Sequence, residues 1–151
     1  MVHDVRVPIV ADVDMVQARA EARALALDLG FSRTDATLIA TAISEIARNI
    51  LIHAHEGEIV MESRYEEDRC GLVVVASDRG PGIKNVDAVF DAAYSTRAGL
   101  GLGIPGARRL MDEFAIKSRL GRGTVVSMVK WRTRDELELL RERRRRNGDL
   151  S

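Results

Sequence analysis

An α/β domain is the fold class that this sequence predicts, on three observations. Period-two apolar runs flank the chain near residues 3–10 and after residue 113. Two long helical patterns occupy residues 13–54. Between them and the last strands lie glycine-rich loops, placed where a strand ends or a helix begins. The chain has 151 residues, 46% hydrophobic and 30% charged, enough for one domain with a real core.

The elements follow in order. His3–Val10 alternates around Val5, Val7 and Ile9, and Pro8 assigns this strand to a sheet edge. A helix is expected over 13–29, capped by Asp12 and ended by Gly30, with Val13, Val16, Ala20, Leu25, Leu27 and Leu29 as its apolar residues. Ser32 and Thr34 offer caps for a second helix over 34–54. Its stripe of Ala36, Ile39, Ile43, Ile46 and Ile50 is spaced 3, 4, 3, 4. Residues 57–64 and 71–77 read as strands joined by a polar hairpin. The second is a continuous apolar run that predicts a central strand buried on both faces.

Within the second helix, Glu45 and Asn49 stand one turn apart on a common face, about 40° from each other and away from the centre of the isoleucine stripe. Alone, such a pair is an ordinary solvated surface pair. The loops downstream change its meaning. Asp78-Arg79-Gly80-Pro81-Gly82-Ile83 fixes an acid at the end of a buried strand, beside a turn that lets a ligand approach the backbone. Such an acid accepts a hydrogen bond from an exocyclic amine.

Residues 85–98 predict a short helix and a mobile loop containing Phe90, Tyr94, Ser95, Thr96 and Arg97. Gly99-Leu100-Gly101-Leu102-Gly103 then runs into a helix over 104–112, with Pro105 in its first turn. Backbone N–H groups at such a junction attract anions. The GxGxxG pattern of 101–106 is weak as a dinucleotide fingerprint, because no clear strand immediately precedes it and no acid ends a second strand. The absence of GxxxxGK(S/T) excludes a P-loop. Residues 114–119 and 125–131 form a closing strand pair around Gly121-Arg122-Gly123-Thr124, and 134–146 a charged helix whose Arg143–Arg146 run reads as solvated.

The four motifs in this order, Glu45-x-x-x-Asn49, Asp78-x-Gly80-x-Gly82, Gly99–Gly103 and Gly121-x-Gly123-Thr124, resemble the GHKL superfamily of ATP-binding domains. The segments 41–50, 78–83 and 109–114 narrow the resemblance to the RsbT family of stressosome switch serine/threonine kinases, related to anti-sigma regulatory factors. It covers about residues 3–132. The resemblance implies the Bergerat fold, a two-layer α/β sandwich with one mixed, mostly antiparallel sheet and helices on one face. It divides the chain into a kinase domain at 1–133 and a charged helical tail at 134–151.

It also implies ATP and Mg²⁺ as cofactors. Asn49 would hold the metal, Asp78 would take the adenine amine with Thr124 assisting, and Gly80, Gly82 and Ile83 would let the backbone come close. Ser95, Thr96, Gly99, Leu100, Gly101, Leu102 and Gly103 would close over the phosphates, and Arg48 or Arg97 would neutralise charge there. Glu45 would be the catalytic base. The implied partners are STAS-domain scaffold proteins of the RsbS and RsbR types and an RsbU-type PP2C phosphatase. An anti-sigma factor, a binding module on the same fold, is the competing reading.

Composition limits the rest. Twenty-three basic and 23 acidic residues cancel, so neither nucleic acid nor an acidic membrane surface is an expected partner. No apolar run reaches the roughly 20 residues that span a bilayer. One cysteine, three histidines without metal-ligand spacing and the lack of a secretory signal predict a cytoplasmic protein with no protein-built zinc site.

Overall fold

A computed structural model describes residues 4–87, 103–132 and 143–148. Strand β1 (Asp4–Ile9) is followed by helices α1 (Asp12–Asp28) and α2 (Arg33–His53). Next come strands β2 (Gly57–Glu66) and β3 (Arg69–Asp78), helix α3 (Gly103–Leu110), and strands β4 (Glu113–Arg119) and β5 (Gly123–Trp131). The sheet order is β1-β2-β3-β5-β4, and all four pairings are antiparallel. The last strand therefore lies inside the sheet, between β3 and β4. Pro8 stands on the edge strand β1, the kind of position in a sheet where a residue without an N–H is tolerated.

Helix α2 holds the two layers together. Its Ile39, Ile43, Ile46 and Ile50 are buried against the sheet face carrying Ile59, Met61, Leu72, Val74 and Met128. Full burial contributes about 2–3 kcal/mol for each such side chain, so this stripe dominates the core. Ser32 caps α2 by accepting the Asp35 N–H at 3.0 Å. Helices α1 and α3 both pack on α2.

Helix α1 buries only part of the apolar set its sequence suggests: Leu25 enters the core and Leu29 packs against it, but Val13, Val16, Ala20 and Leu27 do not. Val13, Val16 and Leu27 are 68%, 48% and 42% exposed, whereas Ala18, Ala22, Leu25 and Ala26 are buried. The small alanines let the α1 backbone approach α2 closely, and that fit outweighs the larger apolar area of the valines. The cap also differs. Ala11 is the N-cap residue, and Asp14 rather than Asp12 accepts from the backbone, taking the N–H groups of Val10 at 2.9 Å and Ala11 at 3.0 Å. The β2–β3 hairpin is tighter than expected, turning on Glu67 and Asp68 alone. On β3, Leu72, Val74 and Ala76 face the helices and Val73 is buried on the opposite face, but Val75 is only half-buried there. Residues 143–148 are helical and exposed, as the arginine run requires; the rest of that expected helix, 134–142, lies outside the described residues.

Candidate nucleotide site

The site forms where the C-terminal half of α2 crosses the ends of β3 and β5. Ile46, Asn49, Ile50 and His53 come from α2, and Ala76 and Asp78 from β3. Pro81, Gly82, Ile83 and Lys84 come from the following turn, Ile104 from α3, and Leu120, Thr124 and Val126 from the β4–β5 hairpin. Together they line a cavity of about 420 Å³, a volume in the range of small-molecule sites. Most of the wall is apolar. The polar groups are few, and Asp78 and Thr124 are register partners on adjacent strands.

Asp78 is held by the turn that follows it. Its Oδ1 accepts the Gly80 N–H at 2.9 Å. No described residue donates to the second carboxylate oxygen, which leaves it as an acceptor for a ligand. Gly82 and Gly123 both adopt left-handed backbone, with φ +78° and +114°. At Gly123 a Cβ would overlap the Asp78 carbonyl oxygen, so only glycine lets the β5 backbone come this close to the acid. Gly123→Ala is accordingly expected to cost about 2–4 kcal/mol, through φ strain and displacement of β3. The check is a denaturant titration alongside nucleotide binding, both of which should fall.

The hairpin is tied to the Gly80–Ile83 turn at two points. The Gly121 N–H donates to Pro81 O at 2.8 Å. Ser118 Oγ accepts the Ile83 N–H at 2.7 Å, lies 2.8 Å from Thr124 Oγ1, and reaches Gly123 O at 3.1 Å.

Asn49 lines the cavity from α2. Its Nδ2 is buried and has no hydrogen-bond partner among the described residues. A buried amide without a partner costs free energy unless a ligand satisfies it. Gly103, the first residue of α3, rests on this amide: a Cβ there would lie 2.9 Å from Asn49 Oδ1. A half-turn of the amide exchanges Oδ1 and Nδ2, so the position can offer a donor to phosphate or an acceptor to a cation. Among the described residues no group of three His, Cys, Asp or Glu side chains could hold a metal ion. A cation here would take one oxygen from the protein and the others from phosphate and water. That sparse donor set fits Mg²⁺.

The expected site residues thus divide into three groups. Asn49, Asp78, Gly82, Ile83 and Thr124 line one cavity, and Gly80 and Gly103 position two of them. Glu45 is half-buried one turn of α2 before Asn49, and Arg48 is exposed; neither lines the cavity wall. Ser95, Thr96, Arg97, Gly99, Leu100, Gly101 and Leu102 lie outside the described residues.

Three contributors are not evident from the motifs. Lys84 reaches the wall because it follows the turn. His53 does so because it ends α2 beside Asp78. Ser118 is a polar residue at the inward position that follows Phe114 and Ile116, opposite Thr124, and that break in the period is its sequence signal.

His53 keeps part of its ring in solvent, and the imidazole titrates below its ordinary 6.5 because the partial desolvation of the rest disfavours the cation more than Asp78 favours it. A depressed pKa makes the neutral form the stabilising one. The contribution is present above 6.5 and is lost as pH falls from there through the lower folded-state pKa, because the unfolded chain takes up the proton first. The ligand-free chain should therefore lose stability below pH 6.5, and His53→Gln should flatten that slope in thermal melts at stepped pH.

The model of the histidine kinase-like ATPase domain matches residues 10–130, and the chain belongs to that family. Within it, the chain is similar to the serine/threonine-protein kinase RsbT of Bacillus subtilis (strain 168), with 44% identity over 83% of this chain and 94% of the relative. It is also similar to the anti-sigma F factors of Pasteuria penetrans, at 34% identity over 75% of this chain and 79% of the relative, and of Caldanaerobacter subterraneus, at 31% over 76% and 82%. The chain is an ATP-using protein serine/threonine kinase on this α/β fold. No helix among the described residues is long and apolar enough to cross a membrane.

Proposed function

We propose that this kinase transfers the γ-phosphoryl group of ATP to a serine or threonine of STAS-domain stressosome scaffold proteins of the RsbS and RsbR types. After release it would bind and activate an RsbU-type PP2C phosphatase in the general stress response. The observation that carries the reading is the convergence of Asn49, Asp78 and Thr124 on one cavity, with Glu45 a helical turn from Asn49. The similarity to RsbT supports the choice of substrate class. We assign the kinase domain to 1–133 and the charged C-terminal tail to 134–151. The lone, buried Cys70 supports a cytoplasmic location.

In this reading the base enters the apolar cavity and its exocyclic amine meets Asp78, with Thr124 beside it. Asn49 would hold Mg²⁺, which supplies neutralisation of phosphate charge. Arg48 and the segment 95–103 would complete the phosphate end. Phosphoryl transfer has a loose transition state, so positioning and charge neutralisation do most of the work. Glu45 accepts the proton of the incoming hydroxyl late in transfer.

The test is a transfer assay with γ-labelled ATP, Mg²⁺ and either an RsbS-type STAS protein or a sigma factor. Label on a serine or threonine of the STAS protein is the expected result. Tight nucleotide-dependent capture of the sigma factor without label would favour the second reading, an anti-sigma module, which the 34% identity to an anti-sigma F factor supports.

A further inference from the structure

We propose that Ser118 is a positioning residue that determines base specificity. It holds the Thr124 hydroxyl as an acceptor toward the cavity, so that Asp78 and Thr124 together accept a 6-amino purine and reject a 6-keto one. The inference rests on the assignment of this cavity to the nucleotide base.

A serine hydroxyl has one proton and two lone pairs. Ser118 Oγ makes three contacts: the Ile83 N–H at 2.7 Å, Gly123 O at 3.1 Å and Thr124 Oγ1 at 2.8 Å. The first must donate to Oγ, and the second can only accept from it. All three are satisfied together in one arrangement, in which Ser118 donates to Gly123 O and Thr124 donates to Ser118. The Thr124 proton is then used, and only its lone pairs remain for a ligand. In the alternative, Ser118 donates to Thr124 and gives up the bond to Gly123 O.

The polar end of the cavity therefore presents two acceptors side by side. Asp78 has already spent Oδ1 on the Gly80 N–H, and its other oxygen and Thr124 Oγ1 stand on paired positions of β3 and β5. An exocyclic amine carries two N–H donors and matches such a pair. A ring carbonyl brings a third acceptor to it and is repelled, since leaving polar groups unpaired in a closed site is costly. Ser118 also braces Ile83, so its removal has two separable effects. Loosening the turn weakens every nucleotide alike. Freeing the Thr124 proton lets Thr124 donate to a keto oxygen, which weakens discrimination alone.

The test measures dissociation constants for ATP and inosine triphosphate by competition titration. The parent chain should prefer ATP. Ser118→Ala should narrow the ratio of the two constants by about fivefold or more, the worth of one ordinary hydrogen bond, and Ser118→Thr should restore it. Thr124→Val should also narrow the ratio, and adding Ser118→Ala to Thr124→Val should change it no further. An unchanged ratio in Ser118→Ala, even with both affinities weakened, would overturn the proposal and leave Ser118 as a brace only. If Ser118→Ala fails to fold, an unchanged ratio in Thr124→Val overturns it equally. Asp78→Asn separates the two assignments. If it binds ATP as the parent does, the base assignment fails and the role of Ser118 with it. If it loses ATP while Ser118→Ala keeps the parent ratio, the site stands and only Ser118 is misassigned.

Discussion

Glu45→Ala is expected to bind ATP with the affinity of the parent chain and to transfer phosphate at least about a hundredfold more slowly. The two effects separate because Glu45 lies outside the cavity wall, one turn of α2 before Asn49, and nothing that lines the cavity is removed. A half-buried side chain at that position also leaves the isoleucine stripe intact, so the melting temperature should barely move. The measurements are a nucleotide titration and a single-turnover transfer assay on the same preparation. Transfer at the parental rate would show that the proton goes elsewhere and that Glu45 is an ordinary helix residue.

The second large effect is expected at Asp78. In Asp78→Asn the side-chain oxygen can still accept the Gly80 N–H, so the turn is retained. The other terminal atom changes from an acceptor to an NH₂ donor, which meets the amine of the base donor to donor. Sites built to hydrogen-bond a ligand reject a mismatch by large factors, and affinity for ATP should drop about a hundredfold or more. Stability should change little, by about 1 kcal/mol or less. Calorimetric titration together with a melting curve distinguishes this from a general loosening, which would lower both. Undiminished ATP binding would remove Asp78 from the base site.

Much of this arrangement was legible in the sequence. The helix around Glu45 and Asn49 was readable because its isoleucines repeat at 3 and 4 and it has no competing period. The acid at the end of β3 was readable because the apolar run stops there and two glycines follow. What was not legible depends on neighbours distant in the chain. The buried face of α1 is set by how closely α2 can approach, a property of alanine size rather than hydrophobicity, so Leu25 and Leu29 pointed to the core correctly but Val13, Val16 and Leu27 did not. Ser118 shows in the sequence only as a polar break in the β4 period; its partners are atoms at positions 83, 123 and 124, which no local pattern identifies. His53 enters the site because α2 ends beside Asp78, which spacing within the helix does not reveal.

The placement of β5 between β3 and β4 has a consequence for synthesis on the ribosome. Strand β3 carries an apolar run from Leu72 to Ala76, and β5 is its partner on the side away from β2. Until β5 emerges, that edge has its ladder groups open and its apolar residues half-covered, the state most prone to pair with another chain. Asp78 is made early, but Thr124 arrives 46 residues later (124 − 78), so the cavity cannot be sealed while the chain is growing. A product cut short within the β4–β5 hairpin would lack more than a sheet strand. It would have no nucleotide pocket to rescue it and an unprotected edge to aggregate through, and such fragments should appear as insoluble material that added ATP does not recover.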